Sequence, residues 1–196
     1  MPGRLILVRH GQTTWSRAGR HTGRTDLDLE EAGRRQADLL GRRLAGHEFS
    51  TVLVSPLRRA EQTCALAGFG ARSVVCEDLR EWDYGAYEGR TTEEIRSERP
   101  GWSIWRDGVA DGETLAEVAT RAARLVAAVR SPSGAGDTLA FGHAHILRVV
   151  GMCWTGLDPA QGAHFVLEAA SISVLGYERD TPAVIRWNDT AGEPVS

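Results

Sequence analysis

Short apolar runs alternate with stretches of helical periodicity along most of the chain. Leu5-Ile6-Leu7-Val8 is unbroken and apolar, the mark of a strand buried on both faces. Residues 29–45 follow a helical repeat, with Gln36, Leu40 and Leu44 on one face and arginines on the other. Residues 51–54 predict a second strand. Ser55 and Pro56 then read as the N-cap and first position of a helix running to Ala67. Residues 74–76 predict a third, short strand. Within 113–129 the positions Leu115, Val118, Ala122, Leu125 and Val129 form one apolar helical face. Residues 138–141 predict a fourth strand, 144–154 a helix whose face from Ile146 onward is core, and 172–177 and 184–187 two closing strands. Residues 131–136 read as a loop, and the last few residues as a frayed end. The alternation implies one domain over 1–196, an α/β sandwich on a mainly parallel sheet. Residues 85–112 break the pattern. They are rich in Gly, Trp and charge and read as an irregular, lid-like insertion over one face.

Composition narrows the function. The chain has 196 residues, 42% hydrophobic and 25% charged, ordinary for a globular protein with one core. A formal net charge of -3 argues against a nucleic-acid or anionic-membrane surface, so an anion pocket here must be a local arrangement of Arg and His. Arginine far outnumbers lysine, which reads as compositional bias. No apolar run is long enough to span a bilayer, and the N-terminus enters a strand at once, without the pattern of a signal peptide. Cys64, Cys76 and Cys153 are far apart and form no Cys-x-x-Cys pair; they read as reduced thiols in a cytoplasmic protein.

In a parallel sheet, ligands bind beyond the carboxyl ends of the strands. The first strand ends in Arg9-His10-Gly11, the second in Ser55-Pro56-Leu57-Arg58-Arg59, and the fourth in Gly142-His143-Ala144-His145. A few residues past the third comes Arg80-Glu81-Trp82-Asp83-Tyr84. Neutral imidazole is a nucleophile near pH 7, and Arg carries a planar donor fork suited to phosphate oxygens. Two histidines, arginines and a carboxylate thus meet at the strand tips. His143-x-His145 is also the spacing of a metal pair, but no further ligand is adjacent, so no metal is expected. Asp26-Leu27-Asp28 lacks the buried strand that a magnesium-dependent aspartyl phosphatase motif follows, and reads as a helix start. Arg58 reads as a surface residue. Trp102 and Trp105 either stack on a ligand or hold the loop down. Arg106 either meets a second anionic group or pairs with Asp107 or Glu113.

These segments resemble the histidine phosphatase superfamily, which includes the phosphoglycerate mutases. The similar stretches are Leu7-Val8-Arg9-His10-Gly11-Gln12-Thr13, His21-Thr22-Gly23 with Thr25-Asp26, Ser55-Pro56-Leu57-Arg58-Arg59-Ala60 with Gln62-Thr63, Leu79-Arg80-Glu81 with Tyr87-Glu88-Gly89, and Phe141-Gly142-His143. The stretch from Leu79 to Gly89, with Trp105-Arg106-Asp107-Gly108 and Gly112-Glu113-Thr114, is similar to the phosphatase branch, near broad-specificity acid phosphatases and sedoheptulose-bisphosphatase-like enzymes. The resemblance implies a three-layer α/β/α sandwich with a mainly parallel sheet and an antiparallel edge strand. It implies a phosphomonoesterase that needs no cofactor or metal and acts on a small phosphorylated metabolite, a sugar phosphate or a related compound. His10 would be the nucleophile, Glu81 the proton donor and then the base for water, and Arg9, Arg59 and His143 the holders of the phosphoryl oxygens. Ser16, Thr22, Gly23, Tyr84 and Ala144 would line the substrate side. The chain departs from the mutases, which carry Asn in place of Ser16 and Gly in place of Ala144, and it offers no clear match in 90–112 for their Lys and tandem Arg. Hydrolysis is therefore favoured over the rival mutase reading, and over a non-catalytic phospho-ligand module, which would lack His10 or Glu81. A homodimer is left open.

Overall fold

A computed structural model describes residues 3–131 and 136–190. Most of the loop expected at 131–136, and the end expected to fray, lie outside the described residues. Six strands form one sheet: β1 Leu5–Arg9, β2 Thr51–Val54, β3 Val74–Val75, β4 Thr138–Gly142, β5 Ile172–Glu178 and β6 Thr181–Asp189. Their spatial order is β3-β2-β4-β1-β5-β6. The first four are mutually parallel, while β5 runs antiparallel to β1 and β6 antiparallel to β5. The antiparallel side is thus a two-stranded hairpin.

β1 shows why the sheet has two covered faces. Leu5 and Leu7 belong to one core with Val118, Leu125, Ile146 and Val150; Ile6 and Val8 belong to the other with Leu40, Leu44 and Cys64. Alternate side chains point to opposite faces of a strand, so an unbroken apolar strand demands helices on both sides. Helices α2 (Glu31–Leu44) and α3 (Arg58–Leu66) cover one face, and α6 (Leu115–Val129) and α7 (Ala144–Thr155) the other. The short α1 spans Thr14–Arg17.

Two expectations change. The helix after β2 begins at Arg58, not at Pro56, and Ser55 does not cap it. The Ser55 hydroxyl lies 2.7 Å from Nε2 of His143 and accepts only a long 3.3 Å bond from the Leu57 N–H. Asp26 caps the helix from a distance, accepting the Arg58 N–H at 2.8 Å. The insertion is also more ordered than its composition suggests. It contains α4 (Thr92–Glu98) and α5 (Ile104–Asp107), and α4 opens with a Thr91–Glu94 capping box.

Parallel register positions the chemistry. Arg9 pairs with Gly142, and the His10 N–H donates to the Gly142 carbonyl at 3.0 Å, so His10 and His143 leave adjacent strands side by side. The loop after β1 is then pressed onto α2. A Cβ on Gly33 would stand 2.2 Å from the Gln12 carbonyl oxygen, and one on Gly11 would stand 2.5 Å from the Gly33 carbonyl oxygen. Helix propensity alone makes Gly33→Ala stabilising by about 0.5–1 kcal/mol. The clash is against backbone, which cannot swing aside, and overpacking costs about 1–3 kcal/mol. We expect Gly33→Ala to lower the denaturant midpoint and to reduce activity by displacing His10. A variant more stable than the parent would show that α2 does not hold this loop.

Candidate active site

A cleft of about 460 Å³ opens at the carboxyl ends of β1 and β4. Its wall includes Arg9, His10, Glu81, Tyr84, His145 and Arg148. His10 is buried, and its Nδ1 lies 2.7 Å from the Gly11 carbonyl, which can only accept. Nδ1 therefore carries the proton, and Nε2 keeps its lone pair. Burial first, then the positive charges of Arg59 and Arg9, hold this imidazole well below the usual His range.

Arg9 donates through Nη1 to the Leu167 carbonyl at 2.5 Å, while its buried Nε has no partner. An unfilled buried donor is costly, and an anionic oxygen would satisfy it. Glu81 is buried and held at the start of α7. Its Oε1 accepts from the Trp82 and Ile146 N–H groups, each at 2.9 Å, and its Oε2 from the His145 N–H at 3.0 Å. Burial, as the main cause, pushes the Tyr84 hydroxyl well above its ordinary value, and that hydroxyl lies 2.7 Å from Nδ1 of His145.

Several expected residues sit differently. Arg59 and His143 are wholly buried behind His10 and do not line the cleft. Arg59 donates through Nε to Nδ1 of His143 at 3.1 Å, through Nη1 to the Thr25 carbonyl, and through Nη2 to the carbonyls of Thr22 and Gly23. His143 must then donate from Nε2 to Ser55, so both of its nitrogens are taken; its ring centroid is 5.1 Å from that of His10. Gly23 is also behind the wall. Its N–H donates to Glu88 at 2.9 Å, and an added Cβ would meet the Trp82 carbonyl at 2.6 Å. Ser16 lines the cleft, but its hydroxyl is spent in a capping box with Thr13. Thr22 and Ala144 line the cleft as expected.

The lid divides. Trp102 and Trp105 line the cleft, and Trp102 is also tied down through an Nε1 bond to the Gly108 carbonyl. Arg106 is absent from the wall; it is exposed and pairs with Asp107 at 2.8 Å. Arg58 is exposed and pairs with Asp28, as a surface residue should. Asp26 and Asp28 serve the start of α3 rather than that of α2. The sequence reading gave no role to His21 or Arg148, which both line the cleft. The signal for Arg148 was available: it is the one charged residue in the otherwise apolar α7. Among the described residues, no group of three or more His, Cys, Asp or Glu side chains could hold a metal ion, and no helix is long and apolar enough to cross a membrane.

The layered sheet and the histidine at its strand tip, backed by arginines and faced by a carboxylate, define a phosphate-ester site of the phosphohydrolase kind. The chain belongs to the histidine phosphatase superfamily (branch 1), whose family model matches residues 5–190. It is 42% identical to an acid phosphatase of Mycobacterium tuberculosis, over 89% of this chain and 87% of that one. It is 35% identical to a sedoheptulose 1,7-bisphosphatase of Saccharomyces cerevisiae, over 93% of this chain and 78% of that one. A solved structure of an open reading frame product from Mycobacterium tuberculosis superposes with a TM-score of 0.90 at 40% identity, covering 96% of this chain and 98% of that one.

The histidines make stability depend on pH. Burial keeps His10, His143 and His145 well below the imidazole range, and brings His21 down to about 4. Unfolded, each titrates near 6.5. Below about pH 6.5 the unfolded chain binds protons that the folded chain refuses, so stability falls toward acid, by up to about 1.4 kcal/mol per pH unit for each histidine. Above that pH these groups contribute no slope. Urea unfolding at pH 7.5 and 5.5 should show the lower midpoint at 5.5. An unchanged or higher midpoint there would mean that these rings take protons in the folded state.

Proposed function

We propose that this histidine phosphatase hydrolyses small phosphomonoesters of metabolites without a metal, through a phosphohistidine on Nε2 of His10. The observation that carries this reading is the pinning of Nδ1 of His10 by the Gly11 carbonyl, beside the unfilled Nε of Arg9, in one cleft with Glu81. The nucleophile is thereby neutral, oriented and next to a donor for the phosphoryl group.

Nε2 of His10 attacks phosphorus, the P–O ester bond breaks, and Glu81 gives its proton to the departing oxygen. Water then attacks the phosphohistidine while Glu81 takes the water's proton, releasing orthophosphate and restoring His10. The charge on the transferring group is met first by Arg9. Arg59 adds positive charge from behind, and neutral His143 packs against the His10 ring; direct contact of His143 with the phosphoryl group requires its bond to Ser55 to open.

His10→Ala should abolish turnover, and rapid quench of the parent enzyme with labelled substrate should trap an acid-labile, base-stable phosphoryl-enzyme. An active His10→Ala, or label on Ser or Asp, would sink the assignment. Glu81→Gln should slow alkyl phosphates by roughly 10²–10⁴-fold, the span for loss of a general acid. Aryl phosphates, whose leaving groups need less protonation, should suffer less. Equal losses on both ester types would make Glu81 structural.

A further inference from the structure

The stretch Gly112-Glu113-Thr114 and the buried Arg121 take no part in the phosphoryl chemistry described above, yet both are tied to the segment that carries Glu81. Thr114 caps α6, so Glu113 stands just ahead of the helix and Arg121 about two turns along it. Nε and Nη2 of Arg121 donate to the two oxygens of Glu113 at 2.9 and 3.0 Å. Its Nη1 donates to the carbonyls of Asp78 and Arg80 at 2.9 and 2.6 Å. A planar fork engaged in this way fixes both itself and its partner.

Glu113 passes the constraint on. Its Oε2 accepts the Asp83 N–H at 2.9 Å, its own N–H donates to the Asp83 carbonyl at 3.0 Å, and its carbonyl accepts from Nε1 of Trp82 at 2.7 Å. The chain is thus held at residue 80 on one side of Glu81 and at residues 82 and 83 on the other. The approach is close. A Cβ on Gly112 would stand 2.3 Å from the Asp83 carbonyl oxygen, so Glu113 reaches Asp83 only because its neighbour is glycine.

Packing alone does not hold this segment. Glu81 also lines a second cavity, of about 540 Å³, together with Asp78, Asp83, Glu113 and Arg121. A loop beside such a space lacks the close-packed neighbours that lock a core side chain, so hydrogen bonds must set its place. The Glu81 carboxyl is meanwhile bound by the first N–H groups of α7. Two helices on the same face of the sheet therefore fix two parts of one residue: α7 its carboxyl group, and Glu113 and Arg121 at the start of α6 its backbone.

We infer that Arg121 and Glu113 are positioning residues for Glu81, holding its backbone so that its carboxyl group stands where the departing ester oxygen is protonated. This rests on the role proposed for Glu81 above. Neither residue lines the cleft that contains His10, so neither is a substrate ligand.

The test reads kcat/KM for 4-nitrophenyl phosphate divided by that for glycerol 3-phosphate. This ratio rises when proton donation to the leaving oxygen is lost, because the aryl ester needs it less. Arg121→Gln should raise the ratio by roughly 10–100-fold, in line with what about an ångström of misplacement costs. In the Glu81→Gln background the same substitution should leave the ratio unchanged, since no acid remains to be misplaced. Arg124→Gln, which removes an exposed pair with Asp78, should keep the parental ratio. Should Arg121→Gln not fold, Arg121→Lys takes its place: it keeps a charge beside Glu113 but cannot reach Glu113 and both carbonyls together. Equal losses on the two esters, or a further rise of the ratio in the Glu81→Gln background, overturn the inference and leave Arg121 a support of the fold. If Glu81→Gln alone leaves the ratio unchanged, the acid role of Glu81 fails and the positioning role with it.

Discussion

Arg59 is a guanidinium removed from water with no carboxylate beside it, and much of the site is arranged around that fact. Such a charge survives burial only when its donors are filled. Three carbonyls, of Thr22, Gly23 and Thr25, turn inward to fill them. A segment with inward carbonyls turns N–H groups elsewhere, and Glu88 takes those of Gly23 and Thr25. A fourth donor, Nε, fixes the tautomer of His143, which donates a hydrogen bond to Ser55. Ser55 is then lost to α3 as a cap, and Asp26 supplies the cap from the segment that Arg59 has drawn in. One buried cation thus links the tips of β2 and β4 and the loop over them.

The same cation sets the chemistry of its neighbours. A positive charge behind His10 and burial around it both disfavour imidazolium, so the His10 ring stays neutral without a carboxylate partner. Positive charge is in excess there, and the buried Nε–H of Arg9 has no protein acceptor. An anionic oxygen would meet donors that are already oriented. The arrangement destabilises the fold toward acid for the same reason that it favours an anionic ligand.

The sheet was legible in the sequence because both of its faces are covered. An unbroken apolar strand such as Leu5–Val8 has one reading in a chain that alternates strands with helices. The strand tips were legible too, since His10, Glu81, Arg9, Tyr84 and Ala144 all reach the cleft wall, while Thr22, which also lines it, came from the resemblance. What was not legible is which side of the wall a residue stands on. Arg59 and His143 come from the right tips, and Gly23 from the resemblance, yet all three lie behind the floor, because that depends on hydrogen bonds between segments 30 or more residues apart. The helices of the lid were missed where Gly and Trp composition masked a capping pattern, Thr91-x-x-Glu94. The two alternatives for Arg106, and the silence on Arg148, have a related reason. An arginine beside an aspartate in a loop can pair locally, as Arg106 does with Asp107, whereas an arginine in an apolar helix has no local partner and must find one across the fold.

α7 is where His10, Glu81 and the outer cleft meet. Its N-terminal neighbour His143 lies against His10 through the β1–β4 register, and its first N–H groups hold both oxygens of Glu81. Arg148, one turn further along the same helix, lines the outer cleft. Helices are rigid over such a span, so the separation between the Glu81-binding N–H groups and Arg148 is set by α7 and not by the segment 85–112. The lid contributes faces against which this geometry packs, Trp105 beneath Arg148 and Trp102 beside His21. Changes in the lid can therefore alter the shape of the outer cleft while His10, Glu81 and Arg148 keep their spacing.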